Sequence, residues 1–277
     1  MTVFSKAQPS DLPEILEIYR YARAEMARAG NPTQWKNDRP SEETLRADIA
    51  AGALLKAEDR GSLRGVFALY RGEDPTYARI FGGAWRVPPP YGVIHRIARA
   101  PGVTGFFAEA LGVAAALAPA LRIDTHKDNL PMLHLLGKHG FSYRGIICTD
   151  NGTERMAFDR PARPARTFEM NLDPEPFRSV ASGEKTVEMR LYDERRRQIA
   201  VGDTVVFVNR ENGARLAATV GDLLLFADFR ELYAALPLSS LGYAPAEIAG
   251  ASFRDMEMYY SPERQKECGV VGILLRR

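Results

Sequence analysis

The segment Ile94-His95-Arg96-Ile97-Ala98-Arg99-Ala100-Pro101-Gly102-Val103-Thr104-Gly105-Phe106 contains residues whose types and spacing suit chemistry. A strand-like run ends, a short loop with glycines turns, and a helical pattern begins. Several main-chain N–H groups then converge at a helix N-terminus, where the helix dipole and the free amides favour an anion such as a phosphate. Glycines between a strand and a helix are common, so the spacing alone fits a plain turn as well as an anion cradle. Two imidazoles lie nearby in sequence, His95 in that strand and His126 in Asp124-Thr125-His126-Lys127-Asp128-Asn129. Imidazole changes charge near neutral pH and suits proton transfer. Each also has a structural reading: His95 facing one side of a sheet, and His126 capping a turn through Asp124 or Asn129.

A second polar constellation is Gly183-Glu184-Lys185-Thr186-Val187-Glu188-Met189-Arg190. Period-two alternation assigns Glu184, Thr186, Glu188 and Arg190 to one face and Lys185, Val187 and Met189 to the other. Such a strand is a pocket wall or a solvated edge held by Glu188 and Arg190.

These residues need elements to position them. In the first half, strand patterns at Thr2–Lys6, Ala53–Ala57, Leu63–Tyr70, Tyr91–Ile97, Leu121–Thr125, Phe141–Thr149 and Thr153–Phe158 alternate with helical ones. The helices follow Ser10 or Asp11, open at Ser41 with Ser-Glu-Glu-Thr, and run over Thr104–Leu117 and Leu130–His139. The class there is mixed α/β. After Arg160-Pro-Ala-Arg-Pro-Ala-Arg166, a linker by composition, short strands dominate: Arg166–Asn171, Thr186–Leu191, Thr204–Asn209, Arg215–Leu223 and Gly269–Leu275. Helices are read at Asp173–Ser182, ended by Gly183, and at Phe229–Leu236. Glu211-Asn212-Gly213 marks a hairpin. The expectation is a small, mainly β barrel.

Length and composition agree with two domains, since 277 residues exceed the usual size of one. A hydrophobic fraction of 45% with 26% charged residues is ordinary for globular chains. The 37 Lys and Arg against 35 Asp and Glu divide as 21 against 18 over residues 1–160 and 16 against 17 beyond. Neither half is a polybasic clamp, so strong non-specific binding to duplex nucleic acid is disfavoured. No apolar run is long enough to span a membrane, and the start lacks a secretory pattern. Cys148 and Cys268 lie far apart without metal spacing and read as reduced thiols, so no metal site and a cytoplasmic location are expected.

The ordered occurrence of His95-Arg-Ile-Ala98, Asp124-Thr-His-Lys-Asp-Asn129 and His139-Gly-Phe141 over Thr2–Arg160 resembles the GNAT N-acetyltransferase family. The resemblance implies acetyl-CoA as the acyl donor, with Ile97 and Ala98 offering main-chain groups to its pantetheine arm. Arg99, Gly102, Val103, Thr104 and Gly105 would form the pyrophosphate loop, and Asn129 and Met132 would lie along the arm. An amine would attack the thioester while a base or water chain removes a proton. His95 and His126 are the candidate catalytic residues, and Leu136 stands where many members carry a thiolate-protonating tyrosine. Trp35 is expected to line the amine pocket or to anchor its loop.

Gly183-x-Lys185-Thr-x-Glu188-x-Arg190-Leu-Tyr192-Asp193, with Ile199-Ala-Val-Gly-Asp203 and the terminal Gly269-Val-Val-Gly-Ile273, resembles the ASCH domain, a relative of PUA RNA-binding barrels. That implies a cleft of Lys185, Glu188 and Arg190 for RNA or a nucleotide, with Tyr192 as a stacking partner. One branch hydrolyses acetylated cytidine with a Lys and a Thr three residues later; Lys185 matches, but the later position is Glu188. The expected domains are residues 1–160, a linker at 161–166, and 167–277. The expected function is an acetyl-CoA-dependent N-acetyltransferase carrying an RNA- or nucleotide-binding ASCH domain. The alternatives are a binding protein with a weakly catalytic GNAT fold, or an amidohydrolase of acetylated nucleosides.

Overall fold

A computed structural model describes residues 1–35, 39–149 and 152–276. The chain forms two compact units, one of Lys6–Arg163 and one of Pro164–Arg277 together with Met1–Ser5.

The elements in chain order are β1 (Val3–Lys6), α1 (Leu12–Arg28), α2 (Glu42–Ala50), β2 (Leu54–Asp59), β3 (Ser62–Arg71), β4 (Gly92–Arg99), α3 (Phe106–Leu117), β5 (Leu121–Thr125), α4 (Leu130–Lys138), β6 (Ser142–Cys148) and β7 (Glu154–Arg160). Their sheet has the order β1-β2-β3-β4-β5-β7-β6. Local chemistry accounts for the helix starts. The Ser41 hydroxyl accepts the Thr44 amide at 3.2 Å, and the Asn129 side chain accepts the Met132 amide at 3.3 Å. Asp11 occupies the position before α1 but makes no side-chain cap there. Its carboxylate instead takes the Gln8 amide at 2.7 Å and the Lys56 ammonium at 3.0 Å.

One face of the sheet packs α1 and α2 through Leu12, Ile15, Tyr19, Leu45 and Ile49. Each fully buried side chain of this kind contributes about 1.5–3 kcal/mol. Further along, the same face is covered by the 73–91 connection, which packs Tyr77, Val87 and Tyr91 on Val93, Ile147 and Ala157, while Phe106 at the start of α3 approaches Gly65 on the opposite face. That connection is pinned by Arg122, whose guanidinium lies 4.1 Å from the Trp85 ring centre and 3.7 Å from that of Tyr91. Asp159 also pins it, accepting the Arg86 and Val87 amides at 2.8 and 3.1 Å.

The second unit contains β8 (Thr167–Leu172), α5 (Pro174–Ser182), β9 (Val187–Leu191), β10 (Thr204–Asn209), β11 (Arg215–Phe226), α6 (Phe229–Ala235), α7 (Pro262–Cys268) and β12 (Val270–Arg276). Five strands in the order β8-β10-β11-β12-β9 curl into a half-barrel. β8 and β10 run parallel and the other neighbours antiparallel. Gly183 ends α5 with φ +87°, the left-handed conformation that glycine adopts without penalty. The core joins Val187, Met189 and Leu191 of β9 to Phe229, Leu232 and Val270. Residues 238–258 form successive 3-10 turns rather than periodic elements.

Candidate functional site

The first site arises because β4 and β5 part. Their parallel pairing is confined to Gly92 with Leu121 and Val93 with Arg122, so the main chain of β4 from His95 onward leaves its neighbour. A cavity of about 900 Å³ occupies the divergence, lined among others by Trp35, His95, Ile97, Ala98, Arg99, Asp124, Asn129 and Met132.

The same stretch of β4 bulges toward β3. His95 pairs with Ala68 and Ala98 with Val66, leaving Arg96 and Ile97 opposite Phe67 alone. Arg96 has φ +51°, a strained conformation for a residue other than glycine. Its surroundings hold it there. The Arg96 guanidinium grips Asp48 with two hydrogen bonds of 2.7 and 2.8 Å, and its carbonyl accepts the Tyr19 hydroxyl at 2.6 Å. The Tyr70 hydroxyl donates to Asp48 at 2.5 Å. Burial pushes the Tyr19 phenol far up, more than the Arg96 charge pulls it down, so it stays a donor.

After β4 the loop turns through Gly102 (φ +74°) and Gly105 (φ +72°), and added Cβ atoms there would meet no atom within 4 Å. The Ala100 and Val103 amides are engaged, with Arg64 and Ala100 carbonyls. Among the described residues the Gly102, Thr104 and Gly105 amides have no intramolecular acceptor. They precede the N-terminus of the 12-residue α3. The Arg99 guanidinium folds onto the Val103 carbonyl at 3.0 Å. Open amides, a helix N-terminus and a parted strand pair suit a diphosphate attached to an extended, amide-bearing arm. α4 presents Met132 and Leu135 to the cavity, while Leu136 is fully buried.

His95 and His126 are not equivalent. His95 lines the cavity, and its Nε2 lies 2.9 Å from an Asp74 carboxylate oxygen. Its ring sits edge-on to Tyr70 and Tyr77. Burial alone would raise the Asp74 carboxyl, but the His95 bond and charge and the Thr76 amide hold it below its ordinary value. His126 is absent from the cavity wall. Its Nδ1 lies 3.4 Å from the Asp128 amide and 3.3 Å from the Asp128 carboxylate, a local turn contact that leaves it poorly placed to meet an amine. The expected catalytic role of His126 is therefore not supported by its placement.

Trp35 both lines the cavity and packs edge-on to Tyr19 at 5.6 Å, joining the two roles considered for it. Beside it the Gln34 side-chain Oε1 accepts the Asn31 side-chain amide at 2.8 Å, that of Asn129 at 3.1 Å and the His126 main-chain amide at 3.4 Å, tying the 30–35 loop to the start of α4. Gln34, Asp74 and Arg155 were not singled out by sequence, and Asp124 was considered only as a turn partner of His126. Only the recurrence of polar residues beside Trp35 and His95 hints at them.

The second unit gathers Lys185, Glu188 and Arg190. Glu188 is 1% exposed, with the Arg190 guanidinium 2.9 Å from one oxygen and the Lys185 ammonium 3.1 Å from the other. The ammonium lies outside hydrogen-bonding geometry, so that second oxygen, like the Arg190 Nε, makes no hydrogen bond among the described residues. Arg190 also donates to the Tyr260 hydroxyl at 3.2 Å and to the Asn171 carbonyl at 3.1 Å. Burial would lower the Arg190 guanidinium, but Glu188 and Tyr260 hold it above its ordinary value.

Two expectations are corrected here. β9 begins only at Val187, so Lys185 lies before the strand and reaches the Glu188 side rather than the opposite face. Tyr192 is 2% exposed, its ring 5.0 Å from the Arg197 guanidinium, and burial pushes its phenol up to about 12. No ring face is free for a base. Among the described residues the exposed aromatic on this unit is Tyr259, next to Tyr260.

The ASCH domain profile matches residues 170–273. The second unit carries an ASCH domain. Among solved structures, a GNAT-family acetyltransferase from Streptococcus agalactiae is 28% identical, covering 59% of this chain and 96% of that one with a TM-score of 0.53. The first part of the chain therefore has the GNAT acetyltransferase fold. A Pyrococcus furiosus protein solved in solution is 31% identical over 40% of this chain and 96% of its own, with a TM-score of 0.32. An ASCH protein from Zymomonas mobilis is 18% identical over 40% of this chain and 67% of its own, with a TM-score of 0.29. No curated protein matches the chain by sequence. Among the described residues no helix is long and apolar enough to cross a membrane, and no three His, Cys, Asp or Glu side chains gather as for a metal ion.

Proposed function

We propose that the GNAT-fold unit is an acetyl-CoA-dependent N-acetyltransferase and that the ASCH domain binds RNA or a nucleotide. The observation that carries the first statement is the parting of β4 from β5 beside the open amides of the 102–105 loop. Acetyl-CoA, when bound, supplies the acetyl group as a thioester. The Gly102, Thr104 and Gly105 amides would hold the diphosphate, and main-chain groups of Ile97 and Ala98 would orient the arm, with Asn129 and Met132 along its other side. His95 would accept the amine proton through Nδ1, while Asp74 on Nε2 fixes the ring and its tautomer. Asp74 is a positioning residue in this scheme. The Arg96 bulge keeps the Ile97 main chain turned toward the cavity, where an N–H aimed at a developing oxyanion would lower the barrier.

In the ASCH domain the Lys185 and Arg190 cations gathered on the buried Glu188 support a polar ligand at this cluster. Lys185 is ion-paired with Glu188, which favours a binding role over a nucleophilic one.

Two measurements test these assignments. Thiol release from acetyl-CoA over a panel of amines should show acceptor-dependent turnover, and its absence with every amine contradicts the enzyme assignment. Retention of single-stranded RNA or of nucleotides should fall on Lys185→Ala; unchanged retention contradicts the cleft.

A further inference from the structure

The GNAT-unit cavity holds a charge arrangement that acetyl transfer itself does not require. Arg155 at the start of β7 is 8% exposed and lines the cavity. Its Nη1 donates to the neighbouring Glu154 carbonyl at 3.2 Å, but among the described residues Nη2 has no partner. The nearest carboxylate, Asp124, lies 3.8 Å from Nε, too far for a hydrogen bond. Asp124 also lines the cavity. One of its oxygens is committed to the Tyr77 hydroxyl at 2.6 Å, which leaves the oxygen nearer Arg155 open. The exposed Arg39 also lines the cavity, and its charge acts on Arg155. Burial pushes the Arg155 guanidinium down, Asp124 opposes this, and Arg39 adds to the lowering. A nearly buried guanidinium with a donor unspent, held only by a loose 3.8 Å ion pair to Asp124, is better satisfied when a second, hydrogen-bonding anion joins it.

We infer that this part of the cavity is an acceptor subsite for a zwitterionic α-amino acid, whose carboxylate meets Arg155 and Arg39 while its ammonium rests beside Asp124. Guanidinium and carboxylate match as a two-pronged pair, and the spacing between Arg155 and Asp124 suits charges separated by a single carbon. His95 lines the same cavity, and its ring sits edge-on to Tyr77, whose hydroxyl meets Asp124, so the proposed base and the proposed ammonium site share a neighbour. The inference rests on the acetyltransferase reading for its chemistry but not for its binding.

Calorimetric titration of the full chain with each proteinogenic L-α-amino acid and with its amide, with and without CoA, is the test. At least one acid should bind about tenfold or more tightly than its amide, a difference of about 1.4 kcal/mol. Arg155→Gln should erase that difference and Arg155→Lys keep part of it. Asp124→Asn should weaken acid and amide alike, since both carry the ammonium. Equal binding of every acid and its amide overturns the subsite, as does a preference that survives Arg155→Gln. CoA binding without any acid preference removes only the subsite. An acid preference without CoA binding keeps the subsite and removes the acetyltransferase reading.

Discussion

His95 does its proposed work through a contact that can be titrated. Asp74 has a folded pKa below its ordinary 3.8, so its contribution to stability is present above that value and is lost as pH falls through the lower folded one. The stability difference between the protein and Asp74→Asn should accordingly shrink below about pH 4, as urea unfolding across acidic pH would show. His95→Ala should lower kcat by about 10²- to 10⁴-fold with little change in acetyl-CoA affinity, whereas His126→Ala should leave kcat within about threefold. In the ASCH domain, Glu188→Ala strands Lys185 and Arg190 in a buried place and should cost about 3–5 kcal/mol in chemical unfolding.

At the scale of elements, the bulge in β4 and the loop after it set the site. Asp48→Asn removes the charge that holds Arg96 at positive φ; about 3 kcal/mol of stability should go with it, and kcat should fall more than the acetyl-CoA KM rises. Gly105→Val forces a branched side chain into the left-handed region and should cost about 1–2 kcal/mol while weakening acetyl-CoA binding. The strand frame was largely legible from alternation and turn residues: β5 and β10 coincide with the runs Leu121–Thr125 and Thr204–Asn209. Other features depend on distant partners. Asp48 and Arg96 meet across 48 positions, and Asp74 and His95 across 21. No local period announces either contact. The 238–258 turns have no period at all, and α7 is only seven residues long. Tyr192 follows the strand motif yet is buried, because the residue's type does not say which side of the sheet edge the chain covers.

For the whole molecule, two compact units with separate cores predict that unfolding need not be one transition. A ligand that binds one unit should move that unit's transition and leave the other in place. Differential scanning calorimetry of the full chain with acetyl-CoA is the most direct measurement. At a hundred times its Kd, acetyl-CoA should stabilise the GNAT-unit transition by about 2.7 kcal/mol, and Gly105→Val should largely abolish the shift. No displacement of either transition at millimolar acetyl-CoA, or an equal shift in Gly105→Val, would contradict the account.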